Sequence, residues 1–506
     1  MFRWRTTAAA AMTTAALLLT ACSGGQAEEA GASELTLINI ASPSSYNPAE
    51  GASWGNGSIY MQAVFDALLS QDDSGELQPW LATDWSYDDS NTVLTLTLRD
   101  DVFFTDGEQL TAEAAVLSLE HFRDGTASNS SRLSAAEFEA VDDTTLVITL
   151  DDPDPAFLNY LAQDAGTIAS PSMWENENAA TEPVGSGPYV LDTDRTVTGT
   201  TYVYTRNEDY WNADAVHYDA LTINVLGDTT SIVNAIKAGE ANGARLPNNS
   251  GNAEIEASGW TIHPNEINFQ GILLLDRDGT LNPALNDVRV RQAINYAFDR
   301  EALLDALQDG LGTPTSQPFG PTSEAYDAEL DDSYPYDPEK AQELLAEAGY
   351  ADGLTISMPS TATYQSTFDL VSQQLADIGI TVEYTDSGDV GDFISDILTP
   401  KYEASWMVLQ QDPDWQLVEF LVSPTATWNP FGTEDETVAA LSETMQYGSE
   451  DEAAEAAGAL NRYLIDEAWF APLYRVQSSF ATDADTEVTS WATNVYPSLF
   501  SFEPKD

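Results

Sequence analysis

Cysteine is all but absent from this chain. Cys22 stands alone in 506 residues, so no disulfide can form within it and an oxidising exterior adds nothing to its stability. Positive charge is scarce as well. Lysine and arginine total 18 against 83 acidic residues, a formal net charge of −65, and Lys237, Lys340, Lys401 and Lys505 are the only lysines. A surface of that sign repels phosphate backbones and excludes nucleic acid as a partner. Histidine is limited to His121, His217 and His263. They are isolated in sequence, which argues against a nickel or haem site and leaves no metal ligand set and no cofactor. No apolar segment beyond the N-terminal stretch approaches membrane-spanning length. There is no Gly-x-Ser-x-Gly elbow and no phosphate-binding loop. Paired carboxylates, the signature of a glycoside hydrolase, carry no weight among 83 acids. An exported hydrolase is thus the weaker alternative, and no catalytic residues are assigned.

What is present begins at the N-terminus. Arg3 and Arg5 precede an Ala/Thr/Leu run from Thr6 to Leu19, a charged region followed by an apolar one. Leu19-Thr20-Ala21-Cys22 resembles the lipobox of bacterial lipoproteins. That resemblance implies a signal peptide over 1–21, cut before Cys22, and a diacylglycerol thioether on the cysteine sulfur. Residues 22–33, small and acidic, read as a flexible tether. The protein is then expected on the extracellular face of the cell membrane, held by its lipid.

At this length at least two domains are expected. Glu34 to Ile40 reads as a strand, Ser58 to Leu69 as a helix, and Val93 to Leu98 as a half-buried strand by its period of two. Thr111 caps a helix through His121. Leu146 to Leu150 is a further strand, closed by the prolines of Asp151-Asp-Pro-Asp-Pro155. Asp228 and Gly239 bracket another helix, and Asp287 to Asp309 reads as one long amphipathic helix. Asp337-Pro338 opens and Gly349 ends the next. Strands and helices alternate without a simple period, so the class is mixed α/β.

Several blocks occur in a fixed order: Pro79-Trp-Leu-Ala-Thr-Asp-Trp85, Leu96-Thr-Leu-Arg-Asp-Asp-Val102, Phe104-Thr-Asp-Gly107, Pro183-Val-Gly-Ser-Gly-Pro-Tyr189, Arg206-Asn-Glu-Asp-Tyr-Trp211, Val288 to Arg300, and Tyr336 to Tyr350. Together they resemble the peptide/nickel class of ABC-importer solute-binding proteins, extracellular family 5. The resemblance implies a two-lobed, periplasmic-binding-protein-like (type II) fold with an extra subdomain in the first lobe. Lobe I would comprise 34–268 and 482–506, with 64–174 inserted, and lobe II 269–481. It implies capture of an oligopeptide or peptide-like solute between the lobes and delivery to ABC permease subunits, by a monomer that is not an enzyme. Gly185 and Gly187 are read as permitting unusual backbone angles, Arg289, Arg291, Asp299 and Arg300 as ion pairs fixing one helix, and Trp211 as a packing anchor.

The solute is where the chain departs from its relatives. Peptide-binding members carry an aspartate that pairs with the free amino terminus, shortly before an Asp-Pro pair. Aligned on Asp412-Pro413, that position falls on Leu409, and no carboxylate lies between Glu403 and Asp412. A buried ammonium without a countercharge costs several kcal/mol. Asp412 or Asp414 could substitute through a shifted loop. What remains is Trp406, Gln410, Gln411, Asp412, Trp415, Trp428 and Asn429, aromatic faces with amides that suit a neutral polar solute: a modified peptide, an oligosaccharide or an aromatic metabolite. From the first lobe, Ser45, Tyr46, Asn47 and Trp54 join them where relatives line the cleft, with Gln270 and Asp276 near the crossing between lobes.

So acidic a chain repels itself at low ionic strength, and salt shortens that repulsion. The thermal midpoint is therefore expected to climb as salt is raised towards about 1 M. A midpoint indifferent to salt would remove the repulsion argument, and with it the expectation of a saline or alkaline habitat.

Overall fold

The structure, a computed structural model, describes residues 33–51, 54–411 and 413–505. Its backbone is a sheet with the strand order Tyr189–Leu191, Thr201–Arg206, Ala220–Val225, Glu34–Asn39, Gly243–Arg245, Phe470–Thr482, Thr261–Leu274 and Ala404–Gln410, with Gly312–Pro314 also paired to Phe470–Thr482. Two of these strands are much longer than the rest. Thr261–Leu274 and Phe470–Thr482 run antiparallel past each other, and their register slips between Asn265 and Asn268. A bulge of this kind bends the strand and increases its twist.

Hydrophobic cores lie on either side of that bend. Phe269 to Leu274 belong to one with Val290, Ile294, Phe298, Phe368 and Leu460. The opposite ends of the long strands meet a core of Leu35, Leu37, Tyr60, Tyr204, Ile223 and Phe480, and another of Ile38, Ile232, Ile236 and Ala481. A further core is built by residues between Leu68 and Ile168. It fills the space beneath an antiparallel sheet ordered Ala82–Tyr87, Val93–Leu98, Thr145–Leu150 and Ala136–Ala140, covered by the helix Ala112–Arg123. Chain entry and exit are stitched together, Asp66 pairing with Ile168 and Ala67 with Thr167.

The carboxylate of Asp66, 3% exposed, explains why the ordered blocks belong together. It accepts hydrogen bonds from Trp80 Nε1 at 2.7 Å, Ser186 Oγ at 2.7 Å, Tyr210 OH at 2.9 Å and Trp211 Nε1 at 3.1 Å. Arg99 lies over the Trp211 ring, 4.1 Å from its centroid. Separate sequence blocks thus meet on one buried acid, and Trp211 is the packing anchor expected. Gly185 and Gly187 serve the same junction, though not through unusual angles, since neither has a positive φ. A Cβ on Gly185 would stand 2.2 Å from the Val64 carbonyl oxygen, and one on Gly187 2.5 Å from the Val64 carbonyl carbon. Close approach, not torsion, is what demands glycine there.

Other expectations need correction. The helix from Ser58 stops at Val64, because Asp66–Ala67 is recruited into strand pairing. The helix read as continuous from Asp287 is two, Val288–Tyr296 and Arg300–Gln308. Asp299 breaks it by capping the second, its side chain accepting from Ala302 N at 3.0 Å. The arginines there are not chiefly ion-paired. Arg289 does pair with Asp287, but buried Arg300 donates to the carbonyls of Thr315, Pro472, Asn295 and Tyr334. Arg291 likewise serves the carbonyls of Leu285, Asn286 and Glu467. Caps at Thr111, Asp228 and Asp337 form as expected.

Replacing Asp66 by alanine would leave four donors without an acceptor, two on buried side chains (Ser186, Tyr210) and two on half-buried indoles (Trp80, Trp211). The expected loss is at least about 3 kcal/mol of unfolding free energy, read from urea denaturation, with Asp66→Asn losing less. A loss below about 1 kcal/mol would show that the junction does not depend on this acid.

Candidate functional site

Two cavities matter most. The first, about 610 Å³, lies between the first-lobe core, the neck of the inserted subdomain and the C-terminal segment. Its walls carry the amides of Gln62, Gln71 and Gln163, and the indoles of Trp54 and Trp491. The two indoles meet edge-on, centroids 4.9 Å apart. Most of the polar wall is held in place. Gln62 Oε1 accepts from Leu499 N at 2.9 Å, Gln71 Nε2 donates to Asn159 Oδ1 at 3.0 Å, and Gln163 Oε1 accepts from Arg132 at 3.0 Å. His263 bonds Thr482 Oγ1 at 2.9 Å, and burial lowers its pKa, favouring the neutral ring. Trp491 is the exception. It is 3% exposed, and its indole nitrogen is buried with no hydrogen-bond partner.

The second cavity, about 580 Å³, opens between the inserted subdomain and the segments 413–415 and 445–457. Tyr87, Asp154 and Asn159 line one side, Asp414 and Trp415 the other. Trp415 packs against the cores on both sides. It also lines a larger hollow of about 870 Å³ confined to residues 415–447. Across the interface Tyr160 OH donates to Glu419 Oε2 at 2.7 Å, Gln446 Nε2 to the Pro153 carbonyl at 2.9 Å, and Tyr447 OH to Asp152 at 3.2 Å. These bonds hold the two bodies together.

The expected site residues divide. Trp54 lines the first cavity, and Trp415 and Asp414 the second. The other described ones line neither of them. Tyr46 is 2% exposed and shares a hydroxyl–hydroxyl bond with Tyr204. Asn47 caps the turn after it, accepting from Ala49 N. Gln270 Oε1 accepts from Tyr474 OH at 2.9 Å, and Trp406 packs on Tyr364 and Phe368. Gln410 pairs with Asn268 within the sheet. Gln411 is buried and donates to the Pro318 carbonyl. Trp428 packs on the second-lobe core. Asn429 ties Arg277 to the loop carbonyls of Ser423 and Thr433. Ser45 bonds Glu50, and Asp276 accepts from the amides of Thr280, Leu281 and Asn282, a purely local turn. Asp414 is committed to Ser323 and the Ala325 amide. Asp412, like Cys22, lies outside the described residues. Trp491, Gln71, Gln163, Tyr87 and Asp154 were not foreseen. Only the expected return of the C-terminal segment to the first lobe could have pointed to Trp491.

Two bodies joined by crossing strands, with a cavity between the inserted subdomain and the second body, have the architecture of a two-lobed solute-binding protein. The family assignment agrees. Residues 76–428 match the model described as bacterial extracellular solute-binding proteins, family 5 middle, and the chain belongs to that family. It is 29% identical over 395 residues to the glutathione-binding protein GsiB of Escherichia coli K12, covering 73% of each chain. It is 30% identical over 363 residues to heme-binding protein A of Haemophilus influenzae, covering 65% of this chain and 64% of that one. Among solved structures, HbpA2 from Haemophilus parasuis superposes with a TM-score of 0.82 at 23% identity, over 94% of this chain and 100% of that one. The periplasmic binding protein DppA from Helicobacter pylori, in complex with the peptide STSA, gives 0.76 at 22%, over 94% and 98%. Among the described residues no helix is long and apolar enough to cross a membrane.

Burial pushes the Asp154 carboxyl up to about 7, with Glu419 adding to the rise and the Ala156 amide and Arg132 opposing it. Its folded pKa thus lies above the unfolded value of about 3.9. The folded state holds that proton more tightly, so stability from this group is full below about pH 4 and is lost as pH rises through about 7. Asp154→Asn is expected to melt higher than the parent at about pH 8, with the gap closing towards about pH 4. A gap that does not change with pH would contradict this.

Proposed function

We propose that this chain is the extracytoplasmic receptor of an ABC importer. It captures a peptide or peptide-like solute between its lobes, closes on it, and presents the closed form to the permease subunits. The observation that carries the reading is the bend in the two crossing strands, together with the 580 Å³ cavity between the inserted subdomain and the second-lobe segments 413–415 and 445–457. Such a crossing can act as a hinge whose closure desolvates a bound solute. The lobe limits we favour are 34–268 with 482–506, and 269–481, with 64–174 inserted. The separate hydrophobic cores support that division. Binding without turnover, a monomeric state, export, and a lipid on Cys22 complete the proposal. The anchor would set the receptor beside its permease.

The relatives' ligands bound the solute class, since they include glutathione, heme and the peptide STSA. An oligosaccharide is the second reading, favoured by the paired indoles and amides of the first cavity.

A thermal-shift series on the purified protein, using di- to tetrapeptides, their N-acetylated forms and oligosaccharides, tests this. A ligand at 100 times its dissociation constant adds about 2.7 kcal/mol. Stabilisation by peptides is expected, free or blocked, with Trp491→Phe and Trp415→Ala each weakening it about tenfold. Stabilisation by sugars alone would transfer the role to the second reading. Unaltered affinity in both variants would place the solute elsewhere. Mass spectrometry of the Cys22→Ser protein should show loss of the diacyl modification.

A further inference from the structure

We propose that the cavity between the inserted subdomain and the second lobe receives an organic cation, an alkylammonium or guanidinium group of the solute, against Asp154, Tyr87 and Trp415. The inference deepens the carrier reading and rests on it.

The first argument is an account of positive charge. Of the 18 lysines and arginines, all but Arg3 and Arg5 lie among the described residues, and each of these is already engaged inside the protein. Buried Arg245, Arg277, Arg291 and Arg300 donate to backbone carbonyls. Arg475 is gripped by Asp331 through two bonds of 2.8 Å, and Arg132 is held by Gln163 and Asp164. The others sit against carboxylates near the surface, as Lys505 does with Glu487 at 3.8 Å. No lysine or arginine lines the 580 Å³ cavity. A carboxylate or phosphate entering it would lose its hydration and find no cation in return.

The second argument is the wall itself. In so acidic a chain, carboxylates on any cavity are expected, and Glu324 and Glu450 carry no weight. Asp414 is spent on its own loop. Asp154 differs. It is half-buried, and the Ala156 amide at 2.9 Å occupies only Oδ1. It lies close enough to Tyr87 that its charge, after burial, raises the pKa of that phenol. The Tyr87 hydroxyl oxygen is itself buried with no hydrogen-bond partner. A carboxylate, a phenol oxygen able to accept, and an indole together match what a desolvated ammonium or guanidinium requires. Arg132 is the cation nearby, lying 4.9 Å from the Tyr160 ring centroid and committed to Gln163 and Asp164. Because both lobes build the wall, a cation there would favour the closed form.

Cadaverine and pentanediol share a chain length and differ in charge. Calorimetry of the purified protein in about 1 M salt, where the Debye length is about 3 Å, suppresses diffuse attraction to the acidic surface. Cadaverine is expected to bind at least about tenfold more tightly than pentanediol. Asp154→Asn should erase that preference, and Tyr87→Phe should reduce it. Equal binding of the two probes, or a preference that survives Asp154→Asn, overturns the proposal. Peptide binding without cadaverine preference would overturn this inference and spare the peptide-carrier reading. Cadaverine preference erased by Asp154→Asn, with no peptide bound, would spare this inference and overturn the peptide reading.

Discussion

The antiparallel pairing of Thr261–Leu274 with Phe470–Thr482 is the constraint on which the rest of this molecule depends. Each strand is long enough to belong to two cores at once. The slip between Asn265 and Asn268 decides where one ends and the next begins. Asn265 uses the bend to reach across, its amide donating to the carbonyls of Trp491 at 2.6 Å and Asn494 at 2.7 Å. The C-terminal segment is thereby fastened beside the crossing. Trp491 then stands on the cavity wall because the crossing strand holds its backbone there. Position of this cavity and position of the bend are one fact.

Asp66 does for the inserted subdomain what the crossing does for the lobes. Burial raises its pKa, yet four donors oppose that rise. The acid needs no cation because two indoles, a phenol and a serine hydroxyl supply what solvent would. Positive charge is handled in the mirror-image way. Arg300 and Arg291 sit in the second lobe on rings of carbonyl oxygens, so scarce guanidiniums serve to gather irregular backbone. A chain with so few cations places several of them where they satisfy buried acceptors, and its surface is left acidic as a result.

Sequence patterns recovered elements whose cause is local. Val93–Leu98 alternates because one face is buried, and Asp228 and Gly239 announce a helix that both ends obey, Gly239 adopting the left-handed conformation at φ 70°. Elements whose limits are tertiary were misjudged. Ser58 to Leu69 has helical spacing throughout, but Asp66 is claimed by Ile168 and by four distant donors. Asp299 lies inside an apolar period of 3.6, yet its capping propensity breaks the helix there. Which residues reach a cavity wall is likewise decided by tertiary packing. Trp406 and Gln270 sit on neighbouring strands near the expected cleft, and only the packing of Tyr364, Phe368 and Tyr474 reveals that both face inward. Nothing in Asp154 or Tyr87 distinguishes them in sequence, because what matters is which lobe they face after folding.

The family fold and the solute are set by different residues. Those that meet on Asp66 and around the buried arginines are scaffold. They build the frame and leave the pocket free to change. In the 580 Å³ cavity a free carboxylate would find no guanidinium. In the proposed cation site the countercharge comes from Asp154 on the inserted subdomain, whereas Leu409 faces Phe269 within the sheet and carries none. An acid on the subdomain would join its aromatic partner Trp415 only when the lobes meet. Selectivity for the cation would then be exercised at the closing step, where the dielectric falls and the charge is felt most strongly.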